Sequence, residues 1–120
     1  MITKVEKYYR LQEDLEDAHK QKRLEVEKNK ELLFYGRRQS EQQFDELQER
    51  TNYFLRDLGV DNEETFHTRA IIERSRDEFQ EEVYLLEKEI DNQWEQTDDD
   101  FRKKYSQIED DLEKLRREET

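Results

Sequence analysis

The feature that most constrains the fold of this chain is an eleven-residue recurrence of apolar side chains in its second half. The recurrence forms two rows, Phe79, Ile90, Phe101, Leu112 and Val83, Trp94, Tyr105. Eleven residues make three turns of an α-helix at 3.67 residues per turn, so each row stays on one helix face. The pattern predicts one long helix over about residues 62–117, packed nearly straight and not as a tight left-handed coiled coil.

The first half of the chain carries a less regular apolar stripe, with steps of both seven and eleven residues. Its start is marked by Thr3 and Glu6, which fit a capping box in which the Thr3 hydroxyl accepts from the Glu6 N–H. Gly36 costs about 1 kcal/mol inside a helix, too little to end it, although a bend there stays open. The residues on helical spacing are Val5, Tyr8, Leu15, Val26, Leu33, Phe44, Leu47, Phe54 and Leu58. They predict a helix over about residues 4–58.

A turn is predicted almost at the midpoint, over Leu58, Gly59, Val60 and Asp61. Gly59 stands where a helix end needs a left-handed residue, and Val60 is then expected to fold back on Leu55 as in a Schellman ending. Asp61 is the expected N-cap of the next helix, with Glu64 completing a second capping box. The predicted fold is therefore an all-α, long antiparallel two-helix hairpin, coiled-coil-like, forming a single domain over residues 1–120.

The hairpin predicts which residues face each other, because a turn near residue 60 places position i opposite about 120 minus i. This register puts Val26 opposite Trp94, Leu15 opposite Tyr105, Gly36 opposite Tyr84 and Lys22 near Asp98. The row of residues between the two helices is called the seam below.

Composition alone allows two outcomes, a disordered acidic chain or a long-helix protein. The 120 residues include 22 basic and 34 acidic ones, for a net charge of -12, and only 31% are hydrophobic. Such values are typical of disorder, but the helical order of the apolar residues favours the folded outcome. The acidic balance argues against nucleic acid as a partner, because phosphate binding needs a basic surface. The absence of cysteine excludes disulfides and thiolate metal sites.

The sequence also indicates where in the cell the protein is expected. No window of 18 apolar residues occurs, and the residues at the N-terminus lack the apolar segment of a secretory signal. We therefore expect no membrane insertion and a cytoplasmic protein.

Two histidines each follow a glutamate by three residues, as Glu16/His19 and Glu64/His67. Glu-x-x-His pairs hold metal in di-iron bundles, but the hairpin separates these two by roughly 50 Å, so we expect two solvated histidines. The many paired carboxylates have no pocket to perturb them, and phosphate loops, Ser-His-Asp orderings and Cys nucleophiles are absent from the sequence. We expect no enzymatic activity, no catalytic residues, no bound metal and no cofactor.

Several apolar residues lie off the stripe, and they predict a partner. They are Leu11, Leu24, Leu32, Phe34, Tyr35, Tyr53 and Leu55. The segment Leu32-Leu33-Phe34-Tyr35 is apolar around most of a helical turn, and such a helix is normally covered on more than one side. Trp94, Phe101 and Tyr105 beside the charged run at 98–104 are further interface candidates, since Trp and Tyr often anchor interfaces. Simple packing of Trp94 in the seam is the open alternative.

The hairpin resembles the WXG-like small proteins of the type VII secretion system, and most of all the small helical partners of LXG toxins. The resemblance is carried by the Leu58-Gly59-Val60 turn, the Leu32 to Arg38 segment and the aromatic-rich second helix. It covers the whole chain and rests on architecture, since the Trp-x-Gly of the family's turn is absent. It implies a targeting factor or chaperone whose partners are the helical N-terminal domain of the toxin and a second small helical protein.

The resemblance also implies an export signal, Tyr-x-x-x-Asp/Glu, which Tyr105 and Glu109 match. Tyr9/Glu13 and Tyr53/Asp57 match the same short pattern, as expected in a chain this acidic. Co-export by type VII secretion is therefore a further expectation. The alternative function is a self-associating structural coiled coil, a homodimeric scaffold or linker.

Overall fold

The computed structural model describes residues 2–119, which form two α-helices joined by a short turn. Helix α1 spans Lys4–Asp57 and helix α2 spans Asn62–Glu118, each within one residue of the predicted bounds. No strand occurs among residues 2–119, so the predicted all-α helical hairpin is confirmed. Helix α1 runs without interruption through Gly36, which settles the open question of a break there.

The turn has the geometry that its sequence predicts. Gly59 has a φ of 65°, its N–H donates to the Arg56 carbonyl at 3.1 Å, and the Val60 N–H donates to the Leu55 carbonyl at 3.2 Å. These two bonds are those of a Schellman ending. Side-chain caps begin both helices, because Asp61 Oδ1 accepts from the Glu64 N–H at 2.9 Å and Thr3 Oγ1 from the Glu6 N–H at 3.2 Å.

The chain divides into two compact units. The terminal unit consists of the residues up to Lys28 and those from Glu89 onward, and the turn unit consists of Asn29–Lys88. In each unit a stretch of α1 packs antiparallel to a stretch of α2. His19 meets Phe101 in the terminal unit and Phe44 meets Phe79 in the turn unit, which fits the expected register.

One detail of the predicted pairing is wrong. Gly36 does not make room for Tyr84, because a Cβ added at Gly36 would meet no atom within 4 Å and Tyr84 is 54% exposed. Lys22, which was placed near Asp98, forms its ion pair with Glu25 of its own helix at 3.8 Å, and Asp98 contacts His19 and Arg102.

The predicted apolar stripe of α1 is also wrong near the turn. Leu47, Phe54 and Leu58 are exposed, whereas Leu55, which was expected off the stripe, is half-buried in the seam. The physical reason is the period: Leu33, Phe44 and Leu55 recur every eleven residues, as do the seam residues of α2. Leu47 stands three residues after Phe44 and Phe54 stands one residue before Leu55, so both are rotated out of the row that faces α2.

Candidate functional site

A histidine-centred aromatic cluster lies in the seam of the terminal unit. The His19 ring stacks on Phe101 with centroids 3.9 Å apart and lies 5.0 Å from the Trp94 ring centroid. His19 Nε2 is 2.9 Å from Asp98 Oδ1, and the two side chains are only 19% and 23% exposed. The expectation that His19 is solvated is therefore wrong, while His67 is exposed as expected. The rule that position i lies opposite about 120 minus i puts His19 opposite Phe101, and this is the sequence signal that could have identified its surroundings.

Tyr105 extends the cluster. Its ring centroid is 5.6 Å from that of Phe101. Hydrogen bonding to Glu16 raises the pKa of Tyr105 above its ordinary 10.0, helped by burial and by the negative charges of Glu16 and Glu109. The Tyr105 hydroxyl therefore stays protonated at neutral pH.

The aromatic residues of the cluster pack in the seam. Trp94, Phe101 and Tyr105 are all half-buried between the helices of the terminal unit. Within residues 2–119, no group of three or more His, Cys, Asp and Glu side chains is arranged to hold a metal ion. Over the same residues, neither helix contains a stretch long and apolar enough to cross a membrane.

Exposed apolar side chains concentrate in the turn unit. Of the sixteen large hydrophobic side chains that are exposed among the described residues, four lie in the terminal unit and twelve in the turn unit. The twelve are Leu32, Phe34, Tyr35, Leu47, Tyr53, Phe54, Leu58, Phe66, Ile71, Tyr84, Leu85 and Leu86. Of the predicted interface segment, Leu32, Phe34 and Tyr35 belong to this set, whereas Leu33 is half-buried in the seam. A concentration of this kind is typical of a binding surface.

Polar contacts between α1 and α2 close one side of the turn unit, called the bridged face below. The contacts join Arg37 to Glu87 at 3.4 Å, Gln80 to Glu41 at 3.3 Å, Arg69 to Asn52 at 2.8 Å, and Arg76 to Asp45. Their α1 members follow one another by four or seven residues, so they form a single row along the helix. The sequence prediction missed this row because charged residues at such spacing occur throughout the chain.

The two units carry equal net charge but differ in their number of charged residues. The turn unit has 9 basic and 15 acidic residues, and the rest of the chain has 13 and 19, so each has a net charge of -6. The turn unit therefore holds 24 charged residues against 32, and its excess of exposed apolar side chains accompanies a locally less charged sequence.

Comparisons of the chain with models of known protein families, with curated proteins and with solved structures gave no match.

Proposed function

We propose that the chain is a non-enzymatic adaptor or chaperone that binds the helical N-terminal domain of a type VII secreted LXG toxin and helps to target it for export. The observation that supports this proposal is the set of twelve exposed large hydrophobic side chains in the turn unit. A partner that covers them removes apolar area from water, which is the main favourable term in protein association.

The mechanism is recognition of helix by helix. An exposed apolar helix face lies against an apolar face of the toxin domain, so each protein covers a surface that the other leaves in water. Fully burying one Leu or Phe side chain is worth about 1.5–3 kcal/mol, so four such side chains supply about 6–12 kcal/mol before the cost of association. That range is sufficient for a specific complex without any catalytic group.

The alternative occupant of the exposed surface is a second copy of the chain, which is the self-associating coiled coil. Each copy carries a net charge of -12, and a dimer brings two such charges together. Like net charge opposes association and keeps a protein monomeric. This repulsion favours the adaptor over the homodimer.

The proposal is tested by co-purification and light scattering. The full chain is produced alone and together with the N-terminal helical domain of an LXG toxin encoded beside it. We expect a monomer alone, a stable complex with the toxin domain, and a thermal transition that rises with the concentration of that domain. A concentration-independent dimer that ignores the toxin domain would instead identify a self-associating coiled coil.

Export is tested separately in cells. A strain that lacks the chain is expected to lose secretion of the toxin, and the wild-type gene supplied in trans is expected to restore it. Substitution of Tyr105 by Phe and of Glu109 by Gln in the restored copy tests the predicted export signal. Unchanged toxin secretion without the chain would contradict a targeting role.

A further inference from the structure

The turn unit has a second side, opposite the bridged face. In α1, Arg37 follows the seam residue Leu33 by four positions and Asp45 follows Phe44 by one, which rotates both in the same direction from the seam. Because a helix advances about 100° per residue, a residue one position before a seam residue, or three after it, lies on the other side.

On that other side, the row in α1 carries no charge. Six residues stand one before or three after Leu33, Phe44 or Leu55, and they are Leu32, Gly36, Gln43, Leu47, Phe54 and Leu58. In a chain that is 47% charged, such an uncharged row is unusual. Applied to the seam residues Ile72, Phe79 and Val83 of α2, the same rule selects Ile71, Ser75, Glu78, Glu82 and Leu86. These eleven residues define the open face.

The open face is not closed by the chain itself. Leu47 is 48% exposed, Phe54 63% and Ile71 61%, while the polar contacts between helices lie on the bridged face. Gly36 contributes to the opening, because nothing lies within 4 Å of a Cβ added there. The absence of a side chain at Gly36 therefore serves no packing within the turn unit and leaves space for the backbone of another helix.

Three exposed aromatic rings outside the open face of the turn unit each contact a cationic side chain. A cation of the same helix lies over the ring of Phe34, Tyr53 and Tyr84, at 5.8 Å, 5.8 Å and 5.3 Å from the centroid. None of these three rings belongs to the open face. The one ring of the open face, Phe54, has no such contact among the described residues.

The charge on the open face is purely negative. Glu78 and Glu82 stand four residues apart on α2, a spacing at which like charges repel, and neither forms an ion pair among the described residues. The eleven residues include no Lys, Arg or His. An occupant that places Lys or Arg beside these carboxylates relieves the repulsion as well as covering the apolar row.

We infer that the open face binds a partner α-helix whose apolar stripe packs between the two helices and whose Lys or Arg residues face Glu78 and Glu82. This inference rests on the proposed function and names the surface and the chemistry of the partner. Positions 32–58 span about 40 Å at helical rise, which fits a partner helix of about seven turns. A second copy is a poor occupant, since two open faces together would add four carboxylates and no base.

The test compares two pairs of neighbouring residues of similar exposure, in each of which one residue lies on the open face and the other does not. Phe54→Asp on the open face is matched by Tyr53→Asp off it, at 63% and 61% exposure, and Leu86→Asp is matched by Leu85→Asp, at 48% and 57%. Each full-length variant is titrated with the N-terminal domain of the adjacent LXG toxin by calorimetry, after circular dichroism has confirmed its helix content. We expect at least tenfold weaker binding for Phe54→Asp and Leu86→Asp, and less than twofold change for the two controls.

The charge of the partner helix is tested by Glu78→Lys together with Glu82→Lys. This double variant is expected to bind about tenfold more weakly, and its binding is expected to depend less on salt concentration than that of the wild type. Unchanged binding by the double variant would show that the partner helix does not place Lys or Arg residues beside Glu78 and Glu82.

The outcomes separate this inference from the proposed function. If the wild type binds and the off-face controls lose as much affinity as the open-face variants, the inference is wrong and the adaptor function stands. If the wild type alone is a dimer that Phe54→Asp dissociates, a second copy occupies the open face and the basic partner helix is wrong. If the wild type does not bind the toxin domain, both proposals fail.

Discussion

The terminal unit and the turn unit use their apolar residues in opposite ways. Each contains sixteen described residues that are not exposed, and eleven of these are apolar in the terminal unit against seven in the turn unit. On the surface the order reverses, with four exposed large hydrophobic side chains against twelve. The two units have the same net charge, but the turn unit holds 24 charged residues against 32 and leaves more of its apolar residues on the surface.

This difference indicates a division of roles. The terminal unit closes its seam with Trp94, Phe101 and Tyr105, whereas the turn unit uses polar contacts such as Arg69 with Asn52 across one edge. Exposed polar contacts each contribute about 0–1 kcal/mol, less than a buried aromatic side chain. The turn unit is therefore expected to be the less stable unit of the free chain and to gain the most from a partner.

The largest expected contrast between the units comes from one phenylalanine in each. Phe101→Ala removes the ring that stacks on His19 and is expected to lower the free energy of unfolding by about 2–3 kcal/mol. Phe54→Ala removes an exposed ring and is expected to change it by about 0.5 kcal/mol or less. Urea denaturation of the free chain measures both, and equal losses would show that the contrast between the units is false.

The two histidines give a smaller contrast of the same kind. His19→Ala removes the contact with Asp98 and the stacking on Phe101, and we expect a loss of about 1–2 kcal/mol. His67 is exposed in the turn unit, so His67→Ala is the control and is expected to have no measurable effect. Equal midpoints for the two variants in thermal unfolding would contradict the assignment of His19 to the seam.

The two glycines, both in the turn unit, are expected to affect its stability in opposite ways, because Gly36 weakens its helix and Gly59 is required by the turn. Gly36→Ala is expected to stabilise the free chain by about 0.5–1 kcal/mol, since alanine favours the helix and the added Cβ meets no atom. Gly59→Ala is expected to destabilise it by about 1 kcal/mol, because the φ of 65° disfavours any residue with a Cβ. A loss of stability in Gly36→Ala would mean that Gly36 does have a packing role within the hairpin.

The smallest expected effect is the response of the terminal unit to alkaline pH. The folded chain raises the pKa of Tyr105, so its contribution to stability is complete below the ordinary pKa of 10.0 and is lost as pH rises through the folded value. Tyr105→Phe does not titrate and should show a shallower decline in the free energy of unfolding above pH 10. Parallel declines for the two proteins would contradict the raised pKa of Tyr105.

The sequence predicted the helices, the caps and the turn because each depends on a few neighbouring residues, such as Gly59 and Val60. The sequence prediction failed where a residue's position depends on packing between the two helices. Leu55 is an example, because its place in the seam follows from a period shared with α2. His19 was misjudged for the same reason, since its environment is supplied by Trp94 and Phe101 across the seam. The contrast between a bridged and an open face depends on the rotation of both helices together, which no local pattern in either helix specifies.

Amide hydrogen exchange on the full chain, with and without the toxin's N-terminal domain, shows whether a partner completes the turn unit. We expect faster exchange in residues 29–88 than in the terminal unit of the free chain, and a selective gain of protection in residues 29–88 on binding. Protection gained mainly in residues 2–28 and 89–119, or gained equally throughout the chain, would contradict this expectation.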